Sequence, residues 1–137
     1  MIILFYVWDI TVPADTAELN PIYQKLKLSA GIITNINIKF PDGCNGMVKV
    51  RILRWTFQLV PLSNGEWVTG NGETVPTETS YELLEVPFEL EFQACSPSTS
   101  YPHKITIRIE VSPTATLSDL QIIESLNKIV EAVTVNG

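Results

Sequence analysis

Few residues of this sequence have the chemistry for covalent catalysis. Cys44 lies in the glycine-flanked segment Asp42-Gly43-Cys44-Asn45-Gly46, His103 is the single histidine, and Cys95 is the second of two cysteines. A cysteine nucleophile needs a base to hold it as thiolate and a further group to orient that base. Cys44 and His103 would supply the first two, and no residue in a recognisable setting supplies the third. A serine triad would draw on the same histidine, and the sequence contains no G-x-S-x-G. One histidine and two cysteines are too few for a zinc site, and two cysteines make no disulfide framework. Whether Cys44 and Cys95 meet is left open by the sequence. Loop oxygens from Asp15, Asp42 or Glu73 would suit calcium, but acidic loop residues are common and the signal is weak. The expectation is a protein that is not an enzyme, with no catalytic residues, no cofactor and no metal.

The glycines around Cys44 suggest a second chemistry, the cradling of a phosphate. Such a loop leads from a strand into a helix, with Lys-Ser or Lys-Thr after its last glycine. Here Gly46 is followed by Met-Val-Lys-Val-Arg-Ile, an alternating run with strand character. Asp42-Gly43 and Asn45-Gly46 are hairpin dipeptides, so the loop is expected to be a turn and nothing more. Tryptophans offer a third chemistry, since a ring exposed on a β-sandwich can stack on a sugar. Trp8 and Trp55 sit in apolar runs and are expected in the core. Trp67, in NGEWVTGNGE, is the candidate for a ligand-binding residue.

Alternation of period two dominates the elements that would hold these residues. Ile105, Ile107, Ile109 and Val111 face one way, against Lys104, Thr106, Arg108 and Glu110. Val48, Val50 and Ile52 alternate with Lys49 and Arg51, and Phe88, Leu90, Phe92 and Ala94 alternate with Glu89, Glu91 and Gln93. Ile32, Ile36, Ile38 and Phe40 are expected to share a face opposite Asn35, Asn37 and Lys39. Such runs are strands with one wet and one buried side. Between Leu53 and Phe57 the phase shifts, which predicts a bulge or bend near Arg54. Turn-forming clusters separate the runs, among them Pro41-Asp42-Gly43, Ser63-Asn64-Gly65 and Gly70-Asn71-Gly72. The pattern predicts an all-β fold, an antiparallel β-sandwich or jelly roll of about eight strands, as a single domain over residues 1–137.

Both ends depart from this pattern. MIILFYVW is apolar on both faces, so residues 1–12 predict a strand buried on both sides, or an arm added to a neighbour's sheet. It has no basic n-region and Asp9 stops it, so neither a signal peptide nor a membrane span is expected. Residues 116–134 predict an amphipathic helix, with apolar residues from Leu117 to Val133 at spacings of three and four. Ile3, Phe5 and Val7 at one end, and Leu120, Ile123, Leu126, Ile129 and Val130 at the other, are the candidate interface residues.

Composition agrees with an associating protein. Of 137 residues, 45% are hydrophobic and only 18% charged, so a folded monomer would have trouble hiding its apolar surface. The net charge is −6 and the nine basic residues are scattered along the chain, so nucleic acid is not an expected partner.

The stretch from Gly31 to Pro113 also carries a resemblance. Its motifs are GIITNINIKFPDGCNGMVKVRI, then LVPLSNGEW, GNGET and YEL, then PFEL and YPHKITIRIEVSP. In these it is similar to a group of small proteins in tailed-phage and virus-derived sequences, usually treated as virion structural components. The resemblance implies a β-sandwich made in the host cytoplasm and built into a virion, as a capsid decoration or minor capsid protein. Such a role implies contact with the capsid protein, and the apolar ends of the chain add the expectation of symmetric self-assembly, for instance as a trimer at a local threefold of the capsid. A carbohydrate-binding or host-adhesion module using Trp67 is the alternative.

Overall fold

The computed structural model describes residues 2–113. Eight strands account for most of them: β1 (Leu4–Val12), β2 (Ile22–Lys27), β3 (Gly31–Phe40), β4 (Lys49–Arg54), β5 (Phe57–Val60), β6 (Glu73–Leu83), β7 (Glu89–Cys95) and β8 (His103–Ser112). They form two four-stranded antiparallel sheets, ordered β1-β8-β3-β6 and β2-β7-β4-β5. The pairs nest: β4 with β5, β3 with β6, β2 with β7, β1 with β8, falling alternately in one sheet and the other. It is as though one long hairpin, centred on Trp55-Thr56, had been wrapped into two layers. The β8–β3 and β7–β4 ladders then join the turns of the wrap.

Each sheet buries the face that its alternation marks. Ile105, Ile107, Ile109 and Val111 of β8, Val50 and Ile52 of β4, and Leu90, Phe92 and Ala94 of β7 meet in one hydrophobic core. In β3 the expected phase fails at its start. Ile33, not Ile32, is fully buried, because the register shifts between Ile33 and Asn35 and makes Thr34 an extra residue against β8. Ile36, Ile38 and Phe40 then resume the buried face as expected. The break expected near Arg54 takes two forms: a register shift between Ile52 and Leu53, then a two-residue turn at Trp55-Thr56.

The N-terminal strand lies at the edge of a sheet and not in its middle. β1 is an edge strand of its own domain, paired with β8 from Leu4↔Val111 to Val12↔His103. Its inner residues Leu4, Tyr6 and Trp8 pack on the core, while Ile3, Phe5 and Val7 are exposed. Among the described residues nothing pairs with its outer edge, and Phe5 and Val7 on its outer face are exposed, so burial on both sides is not seen. The helix expected over 116–134, with Leu120, Ile123, Leu126, Ile129 and Val130, lies outside the described residues. Among the described residues no helix is long and apolar enough to cross a membrane.

Candidate functional site

Cys44 and Cys95 are fully buried free thiols. Burial pushes the Cys44 thiol above its ordinary value. Burial does the same to Cys95, Glu18 adds to the effect, and Lys49 and Arg51 oppose it. His103 is buried too; the Tyr101 ring lies against its own at 4.5 Å, and neither ring nitrogen has a hydrogen-bond partner. No hydrogen bond therefore links Cys44 to His103. Nothing in this arrangement generates a thiolate.

The amides of the Cys44 loop are already committed. Gly43 N and Asn45 N both donate to Asn71 Oδ1, at 3.0 and 3.2 Å. Gly46 N donates to Gly70 O, and Gly72 N to Pro41 O. Where an anion-binding loop would point free N–H groups at a ligand, a side-chain amide oxygen fills the place. Asn45, with φ of 48°, and Gly72, with φ of 60°, supply the left-handed positions this clasp needs. A side chain at Gly72 would also strike the Asp42 carboxylate. The loop is a turn locked to a second turn, as its composition suggested. Among the described residues no group of three or more His, Cys, Asp or Glu side chains is placed to hold a metal ion.

The tryptophans change places relative to expectation. Trp67 is half-buried, and the Arg51 guanidinium sits 4.0 Å over its ring, so a face a sugar would use is covered. Arg51 is held there by donating from Nε to Gln93 Oε1 at 2.7 Å. Trp8 is half-buried, packs against the core and stacks on Tyr6. Trp55, expected in the core, is 61% exposed, and neighbouring Phe57 is exposed as well. The physical reason is the turn. Trp55 sits at its first position with φ of 55°, off the strand, and Arg54 stacks on it at 4.0 Å.

Around Trp55 the sandwich edge opens. β5 has four residues against the eleven of β6, so the inner face of β6 is only partly covered there. A cavity of about 290 Å³ results, lined by Arg54, Trp55, Tyr81, Glu82, Leu84 and Glu85. Tyr81 stacks on Phe57 at 5.9 Å and closes one side. Arg54 is buried and donates to the backbone carbonyls of Glu85, Pro87 and Glu89, which fixes the 84–88 loop against β4. The sequence carried one trace of this site, the phase break between Leu53 and Phe57.

On the far side of the molecule the sheet containing β1 shows its outer face. Three of the basic residues that look scattered in sequence gather there: Lys39, Lys104 and Arg108. Lys39 and Lys104 line a recess of about 340 Å³ with Asp9, Pro41 and Thr106, and Thr106 Oγ1 donates to Asp9 Oδ1 at 2.7 Å. At the β1 edge this polar face turns apolar. Val7 lies beside Arg108 and Phe5 beside Glu110 in register, with Ile3 following. Comparison with protein-family models and with curated proteins gives no match for the chain.

Proposed function

We propose that this protein is a non-enzymatic structural component of a virion, decorating or stabilising a capsid through contacts with copies of itself and with the capsid protein. One observation carries the reading: among the described residues, no strand pairs with the outer edge of β1, where Ile3, Phe5 and Val7 are exposed. An exposed strand edge is a template for another chain, and proteins normally blunt it with charge, proline or brevity. Three of the four edge strands here are blunted. β6 carries Pro76 with Glu73, Glu78 and Glu82; β2 carries Lys25 and Lys27; β5 has only four residues. β1 has none of these before Asp9, and its outward residues Phe5 and Val7 are 61% and 55% exposed.

The nested wrap adds support. It is the connectivity of a jelly roll, an architecture that serves viral capsid domains as well as lectins and cupins. Buried thiols, a histidine without hydrogen bonds and a loop with its amides engaged leave the described surface without an assembled nucleophile. A closed homo-oligomer, such as a trimer at a local threefold of a shell, would cover the β1 edge in every copy. The virion is then the site of action, with folding in the host cytoplasm beforehand.

Electron microscopy of native particles tests this. The expected result is two-layered density on the shell, with β1 at a contact between copies or with the capsid protein. Complete shells that lack the protein altogether would overturn the reading.

A further inference from the structure

We infer that the cavity at Trp55 is a binding site for a neutral saccharide, a property that goes beyond a structural role and rests on the opposite edge of the sandwich. Its volume of about 290 Å³ lies at the lower end for small-ligand sites, suited to one or two sugar rings. Its lining joins two kinds of group that a pyranose uses together. Trp55, through the face that Arg54 leaves open, and Tyr81 present aromatic surface for the C–H face of a ring, and the exposed Glu82 and Glu85 bring carboxylates that accept hydrogen bonds from hydroxyls. Among the described residues neither glutamate is engaged in an ion pair, so both oxygens remain available.

The charges decide the class. An acidic sugar would meet two carboxylates, and the Arg54 guanidinium donates instead to the carbonyls of Glu85, Pro87 and Glu89. A quaternary ammonium on the open face of Trp55 would share the ring with the Arg54 guanidinium, which stacks at 4.0 Å on the other and already places a positive charge there. A fully apolar ligand would gain nothing from the solvated carboxylates of Glu82 and Glu85. A neutral polyhydroxylated ring satisfies all the walls.

Trp55 itself supplies an independent sign. A bulky aromatic with φ of 55° occupies a region that costs side-chain-bearing residues energy, at a turn position where glycine is at ease. Strain of this kind concentrates where a side chain is needed for its exposed chemistry. Trp55 is exposed, strained and cradled from one side by Arg54.

The test is NMR titration of the full chain with the methyl glycosides of glucose, galactose, mannose and N-acetylglucosamine, following the backbone amides of Tyr81, Glu82 and Glu85 in every variant and the Trp55 indole N–H in the wild type. The sialic acid glycoside and choline are run beside them. We expect a saturating shift with at least one neutral glycoside. Trp55→Gly, whose backbone suits that φ and so preserves the fold, should weaken binding roughly tenfold or more. Glu82→Gln should weaken it less, and Trp67→Ala should leave it unchanged. The inference is overturned if no neutral glycoside shifts Trp55, if only sialic acid or choline does, or if Trp67→Ala abolishes binding while Trp55→Gly does not.

Discussion

Replacing Arg54 with leucine is expected to remove a large part of the stability of this fold. The side chain is 4% exposed, and its guanidinium reaches three carbonyls: Pro87 at 2.5 Å, Glu85 at 2.9 Å and Glu89 at 3.1 Å. Hydrogen bonds to a charged donor contribute about 1.5–3 kcal/mol each, and a buried acceptor left alone costs a similar amount. Glu85, Val86 and Pro87 are exposed, so water would partly replace the lost donors and the low end applies. Three bonds at that end give about 4 kcal/mol, against a total of about 5–15 kcal/mol for a domain. The thermal midpoint should fall by roughly 10–20 °C. Arg54→Lys should recover less than half, because an ammonium has no planar fork with which to reach three separate carbonyls. Urea unfolding followed by circular dichroism and by tryptophan fluorescence measures both variants. A leucine variant within about 1 kcal/mol of wild type, with unchanged denaturant slope, would refute the reasoning. The same loop carries Glu85 into the Trp55 cavity, so the leucine variant should also loosen that site.

Two further perturbations probe the clasp and the thiols. Asn71→Ala removes the acceptor shared by Gly43 and Asn45; a loss of about 1–2 kcal/mol is expected, with faster hydrogen exchange at those two amides, while Asn71→Asp keeps the acceptor and should retain most protection. Burial raises both thiols, so the folded state holds its protons after the unfolded chain has lost them. Their contribution is therefore intact below the ordinary thiol value of 9.0 and is lost as pH rises through the folded values. The double variant Cys44→Ala, Cys95→Ala should show a shallower alkaline loss of stability in pH-dependent urea melts. In the native wild type, a thiol reagent at neutral pH should react only slowly until urea is added.

How much of this was legible in the sequence depended on how far a single phase of alternation ran. β8 and β7 keep one phase, and their core residues could be named directly. β3 does not, because the extra residue at Thr34 shifts Ile33 inward and Ile32 outward, and nothing in Gly-Ile-Ile-Thr-Asn marks which residue is surplus. β6 left little trace, since an edge strand whose inner face mixes Thr77 and Thr79 with Val75 and Tyr81, and which contains Pro76, lacks the contrast that alternation needs. Trp55 was misplaced for a related reason. Its phase break was visible, but whether a break is a bulge within a strand or a turn that ends it depends on pairing with a partner strand. The turn role of the Cys44 loop was readable from its glycines and asparagine. Its partner Asn71, 26 residues further on than Asn45, was not.

The outer edge of β1 bears the weight of the functional reading, and light scattering of the full chain over a range of concentrations tests it most directly. Wild type should form a defined oligomer, and Phe5→Lys with Val7→Lys should shift it to monomer. Each half-exposed side chain is worth about 1–1.5 kcal/mol when a contact buries it, and a charge in its place opposes the contact. The circular dichroism should stay unchanged, since both residues point away from the core. A wild type that remains monomeric at every concentration, or a doubly substituted chain that assembles as wild type does, would contradict the account.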